Sequence, residues 1–323
     1  MRVKWGVIST ARINSLFLAG ARQSEQLEVV AVASRGAEAA ERYAREHGIE
    51  RPYGSYEALL ADPEIDAVYI SLPNALHVEW SIKALDAGKH VLCEKPLTRR
   101  ADEVAEAFDA AARADRLLME AFMYRHNPQT RKLSELVAEG AIGQVRMIRS
   151  SFSFVAADEA DVRLFQALEG GGLMDVGCYC VNGSRLLAGE PERVSGEQVL
   201  GGEGVDIAFA GALRFAGGVI AHFDCGLALA NRDELEVVGD AGSLFLDDPW
   251  HCRRPVIELR RDDGTELIEL EPVDSYMLEA ENLSAAIRGE QELLLGRDDA
   301  LGQARTIEAL YRAADTGQVV SLI

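Results

Sequence analysis

The chain has 323 residues, 48% hydrophobic and 27% charged, a balance that excludes a disordered chain and leaves room for two domains. Its 53 acids outnumber 33 lysines and arginines, giving a net charge of -20 with no long basic block, which excludes the concentrated positive face a nucleic-acid backbone requires. No apolar run approaches the roughly 20 residues of a membrane helix, and five cysteines without a CxxC pair fit neither a disulfide framework nor a structural zinc site.

Met1-Arg2-Val3-Lys4-Trp5 leads straight into a strand pattern with no signal-peptide core, so a cytoplasmic location is expected and no membrane partner. Lys4 to Ile8 reads as a strand, Arg12 to Arg22 as a helix, and Leu27 to Ser34 as a second strand. Ala37 to His47 is a predicted helix stopped by Gly48, and Ala67 to Leu72 a buried strand ending at Pro73. Ala75 to Ala87 is helical up to Gly88, His90 to Cys93 is a strand, Ala101 to Ala114 a helix and Leu117 to Ala121 a strand. Repeated βαβ order predicts a parallel sheet with helices on both faces.

Beyond residue 122 the pattern changes. After a helix near Gln129 to Glu139, strands are predicted at Val145 to Phe154, Asp206 to Phe215, Gly218 to Cys225, Glu234 to Val238, Ser243 to Leu246, Val256 to Arg260 and Glu266 to Leu270. Helical patterns occur at Leu173 to Ala188, Tyr276 to Arg288 and Asp298 to Ala314. The fold class is therefore α/β: a dinucleotide-binding type of domain over 1–122, then an α/β domain over 123–323 with an open, mostly antiparallel sheet.

The first strand-to-helix turn, Ser9-Thr10-Ala11-Arg12-Ile13-Asn14, lacks the GxGxxG fingerprint, since Ser9, Ala11 and Asn14 hold its glycine positions. Small side chains and free N–H groups at a helix start still admit a pyrophosphate. The alternative is a tight βα connection. After the second strand, Ser34 and Arg35 offer hydrogen bonds to a 2′-phosphate with no carboxylate in the way, which points to NADP, with NAD as second choice; a solvated surface arginine is the alternative. Leu72, Pro73, Asn74 and His77 follow another strand end of the same sheet and are candidates to line the ribose and nicotinamide; for His77, one turn into a helix, capping or packing is the alternative. Glu94-Lys95-Pro96 puts an amine at the C-terminal end of a buried strand, where open α/β sheets bind ligands. Downstream, Gly170-Gly171-Gly172-Leu173-Met174-Asp175-Val176-Gly177-Cys178-Tyr179 sets Asp175 and Tyr179 at i and i+4, on one helix face. Lysine, carboxylate and phenol together can move a proton to or from an alcohol while another group takes the hydride; the alternatives are an ordinary helix acid at Asp175 and a core aromatic at Tyr179. A phenol titrates near about 10, and a neighbouring ammonium favours the phenolate. Arg125 and His126, where the chain leaves the first domain, and Arg163, ahead of the glycines, are further candidates for the substrate, with a surface or structural role as the alternative for each.

Pro73-Asn74-Ala75-Leu76-His77, Glu94-Lys95-Pro96 and the Gly170 to Tyr179 motif occur in the order found in the glucose-fructose oxidoreductase/inositol dehydrogenase (Gfo/Idh/MocA) family, which the whole chain resembles. Met119-Glu120-Ala121-Phe122-Met123-Tyr124-Arg125-His126-Asn127-Pro128, with tyrosine rather than histidine at 179, is similar to the branch of dihydrodiol dehydrogenases and NADP-dependent D-xylose dehydrogenases. The resemblance implies a Rossmann domain followed by an α/β domain, Lys95 beside the nicotinamide, Tyr179 as acid/base and Asp175 orienting the substrate or the lysine.

The expected activity is NADP-dependent hydride transfer at a hydroxyl or carbonyl carbon of a sugar, anhydro-sugar or diol, without a metal. The alternatives are a nicotinamide-assisted glycoside hydrolase or lyase, and a non-catalytic NADP-binding sensor. Apolar residues on both faces of strands such as Ile207 to Ala210 and Val219 to Ala221 lead to the expectation of a homodimer or homotetramer.

Overall fold

The computed structural model describes residues 2–323. The first compact unit runs to Met123 and regains Asp274–Leu301; the second comprises Tyr124–Val273 and Gly302–Ile323.

The first unit is built in βα order from β1 (Val3–Ile8), α1 (Asn14–Ala21), β2 (Leu27–Ala33), α2 (Ala37–His47), β3 (Arg51–Tyr53), α3 (Tyr56–Leu60), β4 (Ala67–Ile70), α4 (His77–Asp86), β5 (His90–Glu94), α5 (Ala101–Ala114) and β6 (Leu118–Ala121). Its six strands pair in parallel in the order β3-β2-β1-β4-β5-β6. That order reverses between β1 and β4, so the turns leaving these strands open the crevice in which such sheets bind ligands. β4 and β6 are buried throughout; β4 accordingly runs apolar without alternation, and the one charged side chain of β6, Glu120, accepts a backbone N–H. α2 ends on Gly48 in the left-handed conformation and α5 on Asp115. Two short elements, β3 and α3, are absent from the sequence reading because three and five residues are too few for a period to register.

In the second unit come α6 (Pro128–Ala138), β7 (Val145–Val155), a wide helical turn of π type (Leu173–Gly177) running into α7 (Cys178–Ala188), then β8 (Pro191–Leu200), β9 (Asp206–Phe215), β10 (Ile220–Gly226), β11 (Ala228–Gly239), β12 (Ser243–Leu246), β13 (Val256–Arg261) and β14 (Gly264–Glu269). After α8 (Ser275–Ile287), which lies in the first unit, α9 (Arg297–Thr316) and β15 (Val320–Ser321) complete the chain. Nine strands form one sheet in the order β14-β13-β12-β11-β7-β10-β9-β8-β15, antiparallel throughout except where β10 runs parallel to β7. β8, rich in polar residues, was not expected from the sequence. One face of β9 and β10 buries Phe209, Leu213, Ala221, Phe223 and Cys225, whereas Ala210, Ile220 and His222 of the alternate set are exposed.

A single cut after residue 122 does not describe this division, because Asp274–Leu301 belongs to the first unit. The reason is packing. Trp5 of β1, fully buried, donates its Nε1–H to Ser284 Oγ of α8 at 3.2 Å, and a Cβ on Gly20 of α1 would lie 2.6 Å from the Met277 backbone nitrogen. Asp274 caps α8 by accepting the Tyr276 and Met277 N–H groups. Among the described residues, no helix is long and apolar enough to cross a membrane.

Candidate active site

At the end of β1, Ser9 stands at φ +115°, a region open mainly to glycine, so a serine occupies the first fingerprint position under backbone strain. Hydrogen bonds hold it there. Its Oγ lies 2.8 Å from Ser71 Oγ and accepts the Ala11 N–H at 3.1 Å, while its carbonyl accepts Asn14 Nδ2 at 3.0 Å. Asn14, fully buried at the third fingerprint position, also accepts Ser71 Oγ at 2.5 Å. Thr10, Ala11, Arg12 and Ile13 form the turn between, and α1 starts at Asn14, later than the expected Arg12. Polar tethers thus stand where other chains use glycines, and the small side chains at 9 to 11 still leave the backbone approachable.

Beyond β2, Ser34 is buried and its N–H is bonded to Tyr53 O at 3.1 Å. Arg35 is exposed, and among the described residues no carboxylate pairs with it. Gly36 leads into the N-terminus of α2, so a guanidinium and a helix start lie together where a 2′-phosphate would be met. These features, with the strained, tethered turn after β1, fit NADP.

After β4, Leu72 is buried and Asn74 opens a single helical turn behind Pro73. For His77 the geometry favours the packing alternative over the ribose. Its side chain is buried, with Nε2 2.7 Å from Leu72 O and Nδ1 2.9 Å from Pro96 O. It braces the segments that follow β4 and β5. Glu94 closes β5 with Oε1 accepting Tyr69 Oη–H at 2.5 Å and Oε2 accepting the Lys95 N–H at 3.2 Å. The Leu97 N–H is held in turn by Glu120 Oε1 at 2.8 Å. Lys95 therefore leaves a strand end whose backbone is anchored on both sides, and its peptide to Pro96 is cis.

The second unit carries Arg163, Asp175 and Tyr179. Asp175 lies within the wide turn rather than in α7, so it and Tyr179 do not follow the regular α-helical spacing expected from i and i+4. Arg163 reaches Asp175, its Nη1 3.4 Å from Oδ2, and its Nε lies 3.2 Å from Asp161 Oδ1. Tyr179 is almost fully buried among aromatic rings: Phe152 at 5.4 Å edge-on, Tyr124 at 5.8 Å and Trp250 at 6.0 Å between centroids. Arg125 Nη1 and Tyr124 Oη donate to Asn182 Oδ1 at 3.0 and 2.6 Å, which ties both to α7, one turn beyond Tyr179. His126 is not placed to cover a substrate. It is buried, and burial, reinforced by Arg131 and Arg125, pushes its pKa down to about 3.

Sequence reasoning missed Asn182, Phe152, Trp250 and Asp206. The first three carry no local signal, and Asp206, at the start of β9, lies far along the chain from the turn it contacts. Its Oδ2 accepts the Leu173 N–H at 2.6 Å and its Oδ1 the Tyr311 Oη–H at 2.8 Å. Burial pushes its pKa up to about 6, against the pull of those hydrogen bonds. Asp233, Asp248 and His251 also gather in this unit, but Arg253 already supplies a cation there, its Nη2 2.9 Å from Asp248 Oδ1.

Two family models and several known proteins match the chain. Residues 3–122 match the model of an oxidoreductase family with an NAD-binding Rossmann fold, and residues 130–245 match the GFO/IDH/MocA C-terminal domain. The chain is 40% identical over 323 residues to a D-xylose 1-dehydrogenase (NADP(+)) of Haloferax volcanii, covering 98% of this chain and 99% of that one. It is 37% identical over 257 residues to a trans-1,2-dihydrobenzene-1,2-diol dehydrogenase of Danio rerio, covering 78% and 76%. A 3-ketoreductase of Actinomadura kijaniata, solved in complex with NADP and TDP-benzene, superposes with a TM-score of 0.91 at 31% identity, covering 97% and 98%.

Proposed function

The chain belongs to the GFO/IDH/MocA oxidoreductase family, and from that premise we propose that Lys95, Asp175 and Tyr179 are its catalytic residues. The enzyme is an NADP-dependent oxidoreductase acting on a hydroxyl or carbonyl carbon of a sugar or diol. Ser9 to Ile13, Ser34, Arg35, Leu72 to Asn74, Glu94 and Lys95 would hold the cofactor, with His77 bracing that wall. When bound, NADP supplies the hydride acceptor, and NADPH the donor in the reverse direction.

The chain's own residues handle the proton. Tyr179 takes the proton of the substrate hydroxyl on its phenol oxygen, and returns it when a carbonyl is reduced. The role proposed for Lys95 is to hydrogen-bond the reacting oxygen, where an ammonium favours loss of the hydroxyl proton. Asp175 orients substrate hydroxyls, and Arg163, already paired with it, lies beside it to do the same. The aromatic rings of Phe152, Tyr124 and Trp250 exclude water from one side of the phenol. The observation that supports the assignment is the wide turn at Leu173–Gly177, which carries Asp175 and runs directly into α7, whose second residue is Tyr179.

The same reading takes the enzyme as cytoplasmic, which the absence of disulfides among its described cysteines supports, and as a homodimer or homotetramer that covers Ala210, Ile220 and His222 on the open face of β9 and β10.

The test offers purified protein a panel of aldoses, anhydro-sugars, inositols and aromatic dihydrodiols with NADP and NAD in parallel, following nicotinamide absorbance. NADP reduction by one class is expected, with turnover of Lys95→Met and Tyr179→Phe lower by about 10²- to 10⁴-fold. Near-native turnover of Lys95→Met overturns the assignment.

A further inference from the structure

The glycine run ahead of Asp175 is explained by what approaches it. A Cβ on Gly171, which stands at φ +120°, would collide with Asp206 Oδ1 and lie 3.1 Å from Tyr311 Oη. One on Gly172 would lie 3.1 Å from Gly226 Cα and 3.2 Å from Asp206 Oδ2, and one on Gly170 would strike the Arg163 carbonyl. Three side chains are thus removed so that a carboxylate from β9 and a carbonyl from the preceding loop can come against this backbone.

What the carboxylate meets there is the Leu173 N–H, at 2.6 Å. Leu173 is the first residue of the wide turn, and the first N–H groups of any helical segment lack partners within the helix. Residues at such a position are ordinarily capped by a neighbouring Ser, Thr or Asp; here the position before the turn is Gly172, and the cap comes from another strand. Asp206 is itself oriented by Tyr311 of α9, whose Oη–H it accepts at 2.8 Å, and it is 1% exposed. At the other end of the turn, a Cβ on Gly177 would fall 2.6 Å from Cys225 Sγ, so the turn lies against β9 and β10 at its start and against β10 at its end.

We propose that Asp206 and Tyr311 are positioning residues for the reaction: the Asp206 carboxylate, set by Tyr311, pins the Leu173 N–H and thereby fixes where the wide turn presents Asp175 and where α7, which continues it, presents Tyr179. The inference rests on the reading of those two as catalytic. It adds that their geometry is set from β9 and α9, not by the wide turn and α7 alone.

The experiment compares Asp206→Ala, Asp206→Asn and Tyr311→Phe with the parent enzyme, and with Tyr179→Phe as control. Hydrogen exchange of segment 170–180 is measured on the cofactor-free protein, and kcat, KM and NADPH affinity on the substrate with the highest turnover among D-xylose, inositols and dihydrodiols. Asp206→Ala is expected to exchange this segment faster and to lose about 10- to 100-fold in kcat, with NADPH affinity within about two-fold because the cofactor residues belong to the other unit. Asp206→Asn, whose amide oxygen still accepts the Leu173 N–H, is expected to restore slow exchange and most of kcat, with Tyr311→Phe in between. Unchanged exchange and kcat in Asp206→Ala overturn the proposal. Should that variant not fold, an Asp206→Asn protein as slow as Tyr179→Phe but with parental exchange overturns it instead. Full activity of Tyr179→Phe defeats the catalytic reading itself, whatever Asp206 does.

Discussion

Replacing Arg35 with alanine separates NADP from NAD recognition. The side chain is exposed and, among the described residues, has no carboxylate partner to lose, so stability should change by less than about 0.5 kcal/mol. Against a 2′-phosphate the guanidinium makes up to two parallel charge-assisted hydrogen bonds, worth about 1.5–3 kcal/mol each where buried. Solvent screening at an exposed position discounts them, which leaves about 1.5–3 kcal/mol for the pair. At 1.4 kcal/mol per factor of ten, NADPH binding weakens by about 10- to 150-fold. NADH offers no phosphate at that position, so its affinity should move by less than about two-fold. Fluorescence titration of both nucleotides measures this without a substrate, and the difference should shrink as salt is raised. Equal weakening for the two nucleotides, or no weakening for NADPH, would refute the placement of the phosphate at Arg35.

Two other results are expected. Burial, with Arg116 adding to it, pushes the pKa of His90 down to about 4, and its Nδ1 accepts the Leu117 N–H at 3.0 Å, while His126 falls to about 3. Both folded values lie below the unfolded value of about 6.5, so the unfolded chain binds more protons; stability is full above about pH 6.5 and is lost as pH falls towards those values. Urea melts from pH 7.5 to 5 should show that slope, reduced in His90→Gln, and an identical slope in the variant would contradict it. Light scattering at micromolar concentration should give a dimer or tetramer that Ile220→Glu disrupts, and a stable wild-type monomer would remove the assigned role of the open sheet face.

Much of the fold is written in local pattern. α2 and α5 carry their own stop signals in Gly48 and Asp115, and both were predicted to the residue. β4 reads clearly because a strand covered on both faces has no polar positions to confuse it. Elements that owe their state to neighbours are harder to read. β8 alternates weakly and becomes a strand by pairing with β9 and β15, and α8 carries no mark that it completes a unit begun at β1. The candidate site divides in the same way. Lys95, Asp175 and Tyr179 stand out because their residue types recur in proton transfer at readable spacings. His77 and His126 do not disclose their purpose, since an imidazole bonded to backbone carbonyls and one buried without charge have the same letter as a ligand contact. Asp206 is legible only in three dimensions, although the glycines it displaces are plain in the sequence.

The hydrogen bond between Trp5 and Ser284 joins residues 279 positions apart. During synthesis, β1 leaves the ribosome long before the helix that buries its tryptophan, which emerges only after Tyr124–Val273 of the second unit has passed. The nucleotide-binding unit must therefore wait with an apolar side open, and a fragment ending near residue 122 would keep it open for good. Chaperone dependence and poor yield of such fragments follow from the order in which the chain is delivered, however stable the finished enzyme is.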